Sequence, residues 1–152
     1  EIRASVGAIV TGTGTVLADD PLLTVRDLPE DQQPLRIIVG GREVPPSAKI
    51  FAGEKPAVQI AGDIRDVLAL MWTEHRIHRV LIEAGPGLSR SCWQQGLVDE
   101  VFWFQAPIIF GEGQPVLGDV GVKTLADASR FADYTLNRVG LDVLIHFTTR
   151  QD

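Results

Sequence analysis

One stretch of this chain decides its fold: Thr15-Val-Leu-Ala-Asp-Asp-Pro-Leu-Leu-Thr-Val-Arg26. It follows the apolar run Val6-Gly-Ala-Ile-Val10, which predicts a buried strand because the run is short and rich in Val and Ile. The stretch itself predicts a polar loop, since adjacent carboxylates, Asp19 and Asp20, precede a proline and a basic residue follows. We therefore expect a strand that runs into a charged loop. A plain turn is the alternative, because Asp before Pro often begins one.

The same pattern recurs downstream, where the apolar strand Val80-Leu-Ile82 runs into Glu83-Ala-Gly-Pro-Gly-Leu-Ser89. A glycine turn between a strand and a helix exposes backbone N–H groups at the positive helix end, which suits a phosphate. Glu83 also needs water or a hydrogen-bonding ligand, because it follows an apolar strand directly. Two such loops predict a nucleotide-sized ligand at the carboxyl edge of an α/β sheet. An ordinary turn remains the alternative, since short glycine motifs have many false positives.

The remaining pattern predicts parallel strand–helix units followed by an antiparallel ribbon. This order implies an α/β fold with a mixed, mostly parallel sheet flanked by helices. A helix begins after the N-cap Asp63, and a second has Pro86 near its first position and ends at Gly96. The predicted strands are Leu35–Val39, Ala57–Ala61, Ile77–Ile82, Val101–Ile109, Phe131–Val139 and Leu141–Thr149, and the first helix covers Ile64–His75.

The bulk composition predicts a globular domain and argues against several classes of protein. A chain of 152 residues with 45% hydrophobic and 22% charged residues is expected to form one domain, residues 1–152. A net charge of -6 argues against general nucleic-acid binding. No apolar run has the length of a membrane span, and Glu1-Ile-Arg3 does not begin a secretory signal. The single cysteine, Cys92, fits a reducing compartment, so we expect a cytoplasmic protein.

Other site chemistries find little support in the sequence. His75, His78 and His146 show no zinc spacing with only one cysteine available, so we expect no metal site. No G-x-S-x-G nucleophile elbow is present. The stretch Thr11-Gly-Thr-Gly14 is not a dinucleotide fingerprint, since it lacks the third glycine and the helix start.

Five stretches, in order and over nearly the whole chain, resemble the C-terminal reductase domain of the bifunctional riboflavin-biosynthesis deaminase/reductase. The resemblance implies a dihydrofolate-reductase-like fold. It also implies NADPH-dependent reduction of 5-amino-6-(5-phosphoribosylamino)uracil to the ribitylamino product. The stretches are Gly14–Arg26, Pro34–Val39, Ile82–Leu88, Gly96–Glu100 and Ala106–Gly111.

The resemblance also implies roles for individual residues. Glu83 is a candidate proton donor by its location, and a hydroxyl-binding role is the alternative. An acidic contact after the second strand is in doubt, because the family often has an aspartate where this chain has Gly40. The implied substrate contacts are Arg3, Leu23, Arg26 and Glu83, and the implied cofactor contacts are Thr15, Asp19, Gly85, Pro86, Gly87, Leu88, Ser89, Arg90 and Ser91.

Gly41 and Arg42 follow the predicted second strand, at the edge where an adenosine 2′-phosphate meets an arginine in enzymes that use NADPH. Together with the resemblance, this position predicts NADPH over NADH. A surface arginine beside Glu43 is the alternative, because exposed arginines are common.

The resemblance further implies a preceding strand, loop and helix that help line the substrate site, and a zinc deaminase domain. None of these lies in the 152 residues, so we expect a fragment of a longer protein that does not itself deaminate. A related reductase with another substrate stays open, although Arg26 argues against it. A non-catalytic nucleotide-binding remnant also stays open, and it would bind NADPH without turnover.

The apolar stretches Val101–Phe104 and Pro107–Phe110 predict a homodimer, because they supply more aromatic surface than a small sheet covers. Burial of these residues under the helices of a monomer is the alternative.

Overall fold

The structure is a computed structural model that describes residues 2–131 and 133–149. Within them lie seven strands and three α-helices, with short 3-10 turns over Ile2–Ser5, Glu30–Gln32 and Lys49–Phe51. The strands are β1 Ala8–Gly12, β2 Leu35–Val39, β3 Val58–Ile60, β4 Val80–Ile82, β5 Glu100–Gln105, β6 Tyr134–Val139 and β7 Asp142–Thr148. The helices are α1 Thr13–Asp19, α2 Ile64–His75 and α3 Pro86–Gln94.

The strands form a parallel sheet and an antiparallel one, which confirms the predicted fold class. The parallel sheet has the order β3-β2-β1-β4, with Ala8 opposite both Leu35 and Val80. The antiparallel strands have the order β5-β7-β6 and, among the described residues, form a sheet of their own. The ribbon is therefore a second sheet rather than an extension of the first.

Both faces of the parallel sheet are buried, as expected when crossover helices and loops cover them. Alternate residues of β1 divide between the two faces: Ala8 and Val10 pack toward α2 and α3, and Ile9 packs toward the opposite side. The second face also takes in Val16 of α1 and Leu23 from the loop that follows it. The sequence Thr15–Arg26 is thus anchored in the core by two of its own side chains.

The predicted loop after the first strand is partly wrong, because Thr13–Asp19 forms the helix α1. The sequence Thr11–Gly14 was expected to contain no helix start. That expectation is also wrong, because Gly12 is the N-cap of α1. Seven residues with a glycine and β-branched side chains have little helical stability alone, so packing must supply it. Val16 provides that packing, since only 2% of its surface is exposed.

Several strand boundaries also differ from the prediction, while α2 begins and ends as predicted. β5 ends at Gln105, not Ile109, because Pro107 cannot donate to a ladder and Ile108 and Ile109 project into solvent. The described part of the chain begins with the 3-10 turn over Ile2–Ser5, and Glu1 lies outside the described residues. Across the described part of the chain, no helix is both long and apolar enough to cross a bilayer.

Candidate functional site

The loops that follow β1, β2 and β4 meet at one edge of the parallel sheet. Gly12 lies opposite Val39, and Val10 lies opposite Ile82, so the three strands end at nearly the same level. The residues next in the chain are the start of α1, the turn at 40–42 and the glycine loop at 83–87. The structure therefore brings most of the predicted cofactor residues to one place.

Thr15 connects helix α1 to the glycine loop at 83–87, and both contain predicted cofactor residues. Its Oγ1 accepts the backbone N–H of Gly85 at 2.9 Å, although the residues are 70 positions apart. A Cβ at Gly85 would stand 3.5 Å from the same oxygen, which is an ordinary van der Waals contact. Asp19 lies one turn after Thr15 on the same face of α1 and is exposed. The hydroxyl of Thr15 still has its own proton to donate.

The beginning of α3 is open to a ligand. Its N-cap Gly85 makes no side-chain cap bond, and Pro86 has no N–H. The N–H groups of Gly87 and Leu88 have no acceptor within the helix by helical geometry. A Cβ at Gly87 would have nothing within 4 Å, so this terminus has room for an anion. Such a terminus favours negative charge.

The other predicted residues of α3 face different surroundings. Ser89 Oγ donates to the Ala84 carbonyl at 3.1 Å, and Ser91 Oγ accepts from Gln95 Nε2 at 3.1 Å. Leu88 packs against the core cluster under α2 and α3, and Arg90 is exposed. Their side chains thus support the helix, and their contact with a cofactor stays a prediction.

Arg42 lies over the beginning of α1. A Cβ at Gly14 would stand 2.9 Å from Arg42 Nη2, so the exposed guanidinium would have to shift if Gly14 carried a side chain. Gln59 Nε2 donates to the carbonyls of Gly40 at 2.9 Å and Arg42 at 2.7 Å, which fixes the turn. Gly41 is exposed between them. The guanidinium therefore lies at the same sheet edge as the open helix terminus.

Glu83 finds its partner in Arg3, 80 positions away in the sequence. Arg3 Nε is 2.6 Å from Glu83 Oε1, and Nη2 is 2.7 Å from Oε2, which makes a bidentate ion pair. Arg3 Nη1 also donates to the Thr24 carbonyl at 3.0 Å. These bonds to the Glu83 carboxylate raise the pKa of Arg3. The structure thus brings two predicted substrate residues together.

Leu23 and Arg26 belong to the loop next to this ion pair. Leu23 is 5% exposed and has a φ of 53°, a left-handed conformation that is rare for a bulky residue. Its side chain therefore anchors the loop in the core. Arg26 is exposed and lines a cavity that also contains Arg3 and Glu83.

This cavity, of about 1240 Å³, lies between the two sheets. It is lined by consecutive residues of β4 and of β5, Val80–Ile82 and Val101–Phe104. Successive side chains of a strand point to opposite faces, so lining by consecutive residues means that the cavity opens on strand edges. Its walls are mostly apolar. Charged groups lie at both ends of β4: Arg3, Arg26 and Glu83 at the end of the strand, and Arg79 and Glu100 at its start. Such a setting suits a small organic ligand.

Sequence reasoning missed several groups around the site. The cavity also contains Cys92, whose thiol pKa is raised by burial. Glu100 bonds both Arg79, at 3.0 Å, and His146 Nε2, at 2.9 Å. No local pattern singles out these partners, because they come from different elements. Within residues 2–131 and 133–149, no group of three or more His, Cys, Asp or Glu side chains is placed to hold a metal ion.

Comparison with known proteins gives consistent results. The family model described as "RibD C-terminal domain" matches residues 1–145. Riboflavin biosynthesis protein RibD of Mycobacterium tuberculosis (strain H37Rv) is 34% identical over 151 residues, which cover 97% of this chain and 44% of the relative. The chain spans about half the length of the curated RibD relatives it matches, for example 49% of that from Escherichia coli (strain K12).

Two further comparisons extend this likeness. A 2,5-diamino-6-ribosylamino-4(3H)-pyrimidinone 5′-phosphate reductase of Methanothermobacter thermautotrophicus is 30% identical over 179 residues, covering 99% of this chain and 83% of the relative. The solved structure of Acinetobacter baumannii RibD, form 1, superposes with a TM-score of 0.84 at 26% identity. That match covers 98% of this chain and 48% of the solved chain.

Proposed function

This chain belongs to the RibD C-terminal domain family, and on that premise we propose that it is an NADPH-dependent reductase of riboflavin biosynthesis. Its substrate is 5-amino-6-(5-phosphoribosylamino)uracil, and its product is the ribitylamino compound. One observation carries the proposal: Glu83 and Gly85 lie two residues apart after β4 and face two different partners, Arg3 and Thr15. A cofactor beside Gly85 and a substrate beside Glu83 would therefore be neighbours.

The residues present fit NADPH. The uncapped start of α3, with open space at Gly87, accepts a phosphate through the N–H groups of Gly87 and Leu88. Arg42, whose exposed side chain lies over Gly14, provides a guanidinium for the 2′-phosphate. Thr15 and Asp19 line the same edge through one face of α1. When bound, NADPH supplies the hydride for reduction of C1′ of the ring-opened sugar imine.

Glu83 serves as an acceptor for sugar hydroxyls rather than as the proton donor. Both of its oxygens already accept N–H groups of Arg3, at 2.6 and 2.7 Å. A proton on either oxygen would compete with one of these bonds. Each ionised oxygen keeps further lone pairs that can accept a hydroxyl. The bidentate pair thus holds a carboxylate at the end of β4, where it orients the sugar.

Arg26 binds the substrate phosphate. It lines the same cavity as Glu83 and is exposed there. A planar guanidinium can bind two phosphate oxygens at once. The ribose would then extend from the phosphate at Arg26 toward Glu83, which places its reacting carbon on the cofactor side of the cavity.

The test is to add the substrate and NADPH to the purified protein and follow the loss of NADPH absorbance. Turnover of the phosphoribosylamino-uracil supports the proposal. The archaeal relative, matched over 83% of its length, makes 2,5-diamino-6-ribosylamino-4(3H)-pyrimidinone 5′-phosphate the second candidate substrate. Faster turnover of that compound would favour the second candidate. NADPH binding without turnover of either compound would indicate a non-catalytic domain.

We also propose that the chain forms a homodimer in the cytoplasm and that its full-length protein carries a deaminase domain. Large apolar side chains are exposed on β5 and on the segment after it: Phe104 is 51% exposed, Ile108 is 69% exposed, and Phe110 is 84% exposed. Patches of this kind commonly form interfaces. A monomer at micromolar concentration in light scattering would contradict the dimer.

A further inference from the structure

The backbone of the loop from Asp20 to Leu28, which carries Arg26, is held by side chains from other segments. Arg36 Nη1 donates to the Leu22 carbonyl at 3.1 Å, and Arg3 Nη1 donates to the Thr24 carbonyl at 3.0 Å. These bonds fix the first half of the loop, from the core by Arg36 and from the cavity by Arg3. They leave the Arg26 side chain exposed in the cavity.

Gln33 holds the second half, on both sides of Arg26. Its Oε1 accepts the Val25 N–H at 2.8 Å, and its Nε2 donates to the Val25 carbonyl at 2.9 Å. The same Nε2 donates to the Leu28 carbonyl at 2.8 Å. One side-chain amide therefore pairs with Val25 as a neighbouring strand would, and it bonds a carbonyl two residues after Arg26 as well.

The loop needs such bonds because its backbone is strained. Asp20, Leu23 and Asp27 have φ values of 44°, 53° and 62°, which lie in the left-handed region. Non-glycine residues in this region cost free energy and persist only where the surroundings enforce the conformation. Asp27 directly follows Arg26, so release of the neighbouring bonds would let the arginine move.

Gln33 and Arg36 differ in how they can be tested. Arg36 is 2% exposed and also donates to the carbonyls of Ala52 and Lys55, so its replacement would disturb the core. Gln33 is half-buried, and its bonds go to this loop. The preceding residue, Gln32, is exposed and offers a matched control.

We propose that Gln33 is a positioning residue that fixes the loop around Arg26 and thereby sets the affinity of the cavity for a sugar phosphate. The inference rests on the proposed function, since it takes Arg26 as the group that binds the phosphate. Gln33 itself makes no contact with the ligand. Its effect is indirect: its bonds hold the strained backbone next to Arg26, and without them the Arg26 side chain would move.

The experiment compares Gln33→Ala, Arg26→Ala, the double variant and Gln32→Ala. Hydrogen exchange rates of the amides of residues 22–28 report how firmly the loop is held. NMR titration gives the affinity of the cavity for ribose 5-phosphate. In Gln33→Ala we expect loop exchange to be about tenfold faster, as for the loss of a well-formed hydrogen bond. We expect ribose 5-phosphate to bind more weakly in both single variants and no more weakly in the double variant than in Arg26→Ala. Gln32→Ala should match the wild type in both measurements.

Other results would overturn the inference. Unchanged loop exchange in Gln33→Ala would show that the amide does not hold the loop. Unchanged affinity despite faster exchange, or additive losses in the double variant, would show that Gln33 does not act through Arg26. If the wild type does not bind ribose 5-phosphate, the phosphate role of Arg26 fails, and exchange alone decides whether Gln33 holds the loop. If Gln33→Ala does not fold, Gln33→Glu replaces it, because it keeps the acceptor for the Val25 N–H and loses both donors.

Discussion

Replacement of Arg3 tests whether its ion pair with Glu83 organises the part of the cavity that contains Arg26. The guanidinium makes three bonds: two to the carboxylate, at 2.6 and 2.7 Å, and one to the Thr24 carbonyl at 3.0 Å. Charged hydrogen bonds contribute about 1.5–3 kcal/mol each when buried. The Arg3 side chain is 37% exposed and that of Glu83 is 32% exposed, so solvent screening reduces this value. We therefore expect Arg3→Ala to lower the free energy of unfolding by about 1–2 kcal/mol.

The measurement is urea unfolding followed by tryptophan fluorescence, with Arg90→Ala as the control, since Arg90 is exposed on α3. Arg3→Lys should restore less than half of the loss, because an ammonium cannot form the bidentate pair and reach Thr24 as well. In a protein that already carries Glu83→Gln, Arg3→Ala should lower the free energy of unfolding by much less, since the two residues act as a pair. An Arg3→Ala loss below about 0.5 kcal/mol would refute the reasoning and make the pair an ordinary surface contact.

The pH dependence of this effect follows from the raised pKa of Arg3. A group whose pKa is raised on folding contributes stability that is present below its unfolded pKa and is lost as pH rises through the folded pKa. For arginine both values lie in the strongly alkaline range. The difference between wild type and Arg3→Ala should therefore stay constant from neutral to moderately alkaline pH, and a decline there would contradict the assignment of the effect to the guanidinium charge.

Three further predictions concern the ligands. Arg26→Ala should weaken binding of the phosphorylated substrate by about 1.5–3 kcal/mol with NADPH affinity nearly unchanged, and Arg26→Lys should recover part of the loss. Calorimetric titration measures both affinities, and loss of NADPH binding instead would assign Arg26 to the cofactor. Thr15→Val should weaken NADPH binding by about 1 kcal/mol because the Gly85 N–H loses its acceptor, whereas Thr15→Ser should bind normally. Arg42→Ala should abolish a preference for NADPH over NADH in fluorescence titrations, and equal wild-type affinities for the two cofactors would contradict that role.

The site was partly predictable because many of its residues, although not Arg3 or Arg42, lie in two continuous motifs. The glycine loop at 83–87 and the charged stretch at 15–26 both follow strands, and parallel strands bring their carboxyl ends to one edge. That much follows from sequence order alone. The roles of individual side chains depend on their partners, and the partners of Glu83 and Gly85 are 80 and 70 positions away. No local pattern identifies such pairs.

The sequence alone determined elements whose stabilising interactions are local. Helix α2 was predicted from Ile64 to His75, because its cap, Asp63, accepts from the backbone N–H of Arg65 and its apolar residues repeat at helical spacing. Only the tertiary structure decided α1, whose seven residues have little helical stability without Val16 in the core and Thr15 bonded to Gly85. The same holds for the loop around Arg26, where contacts from distant segments enforce a backbone that the local sequence disfavours.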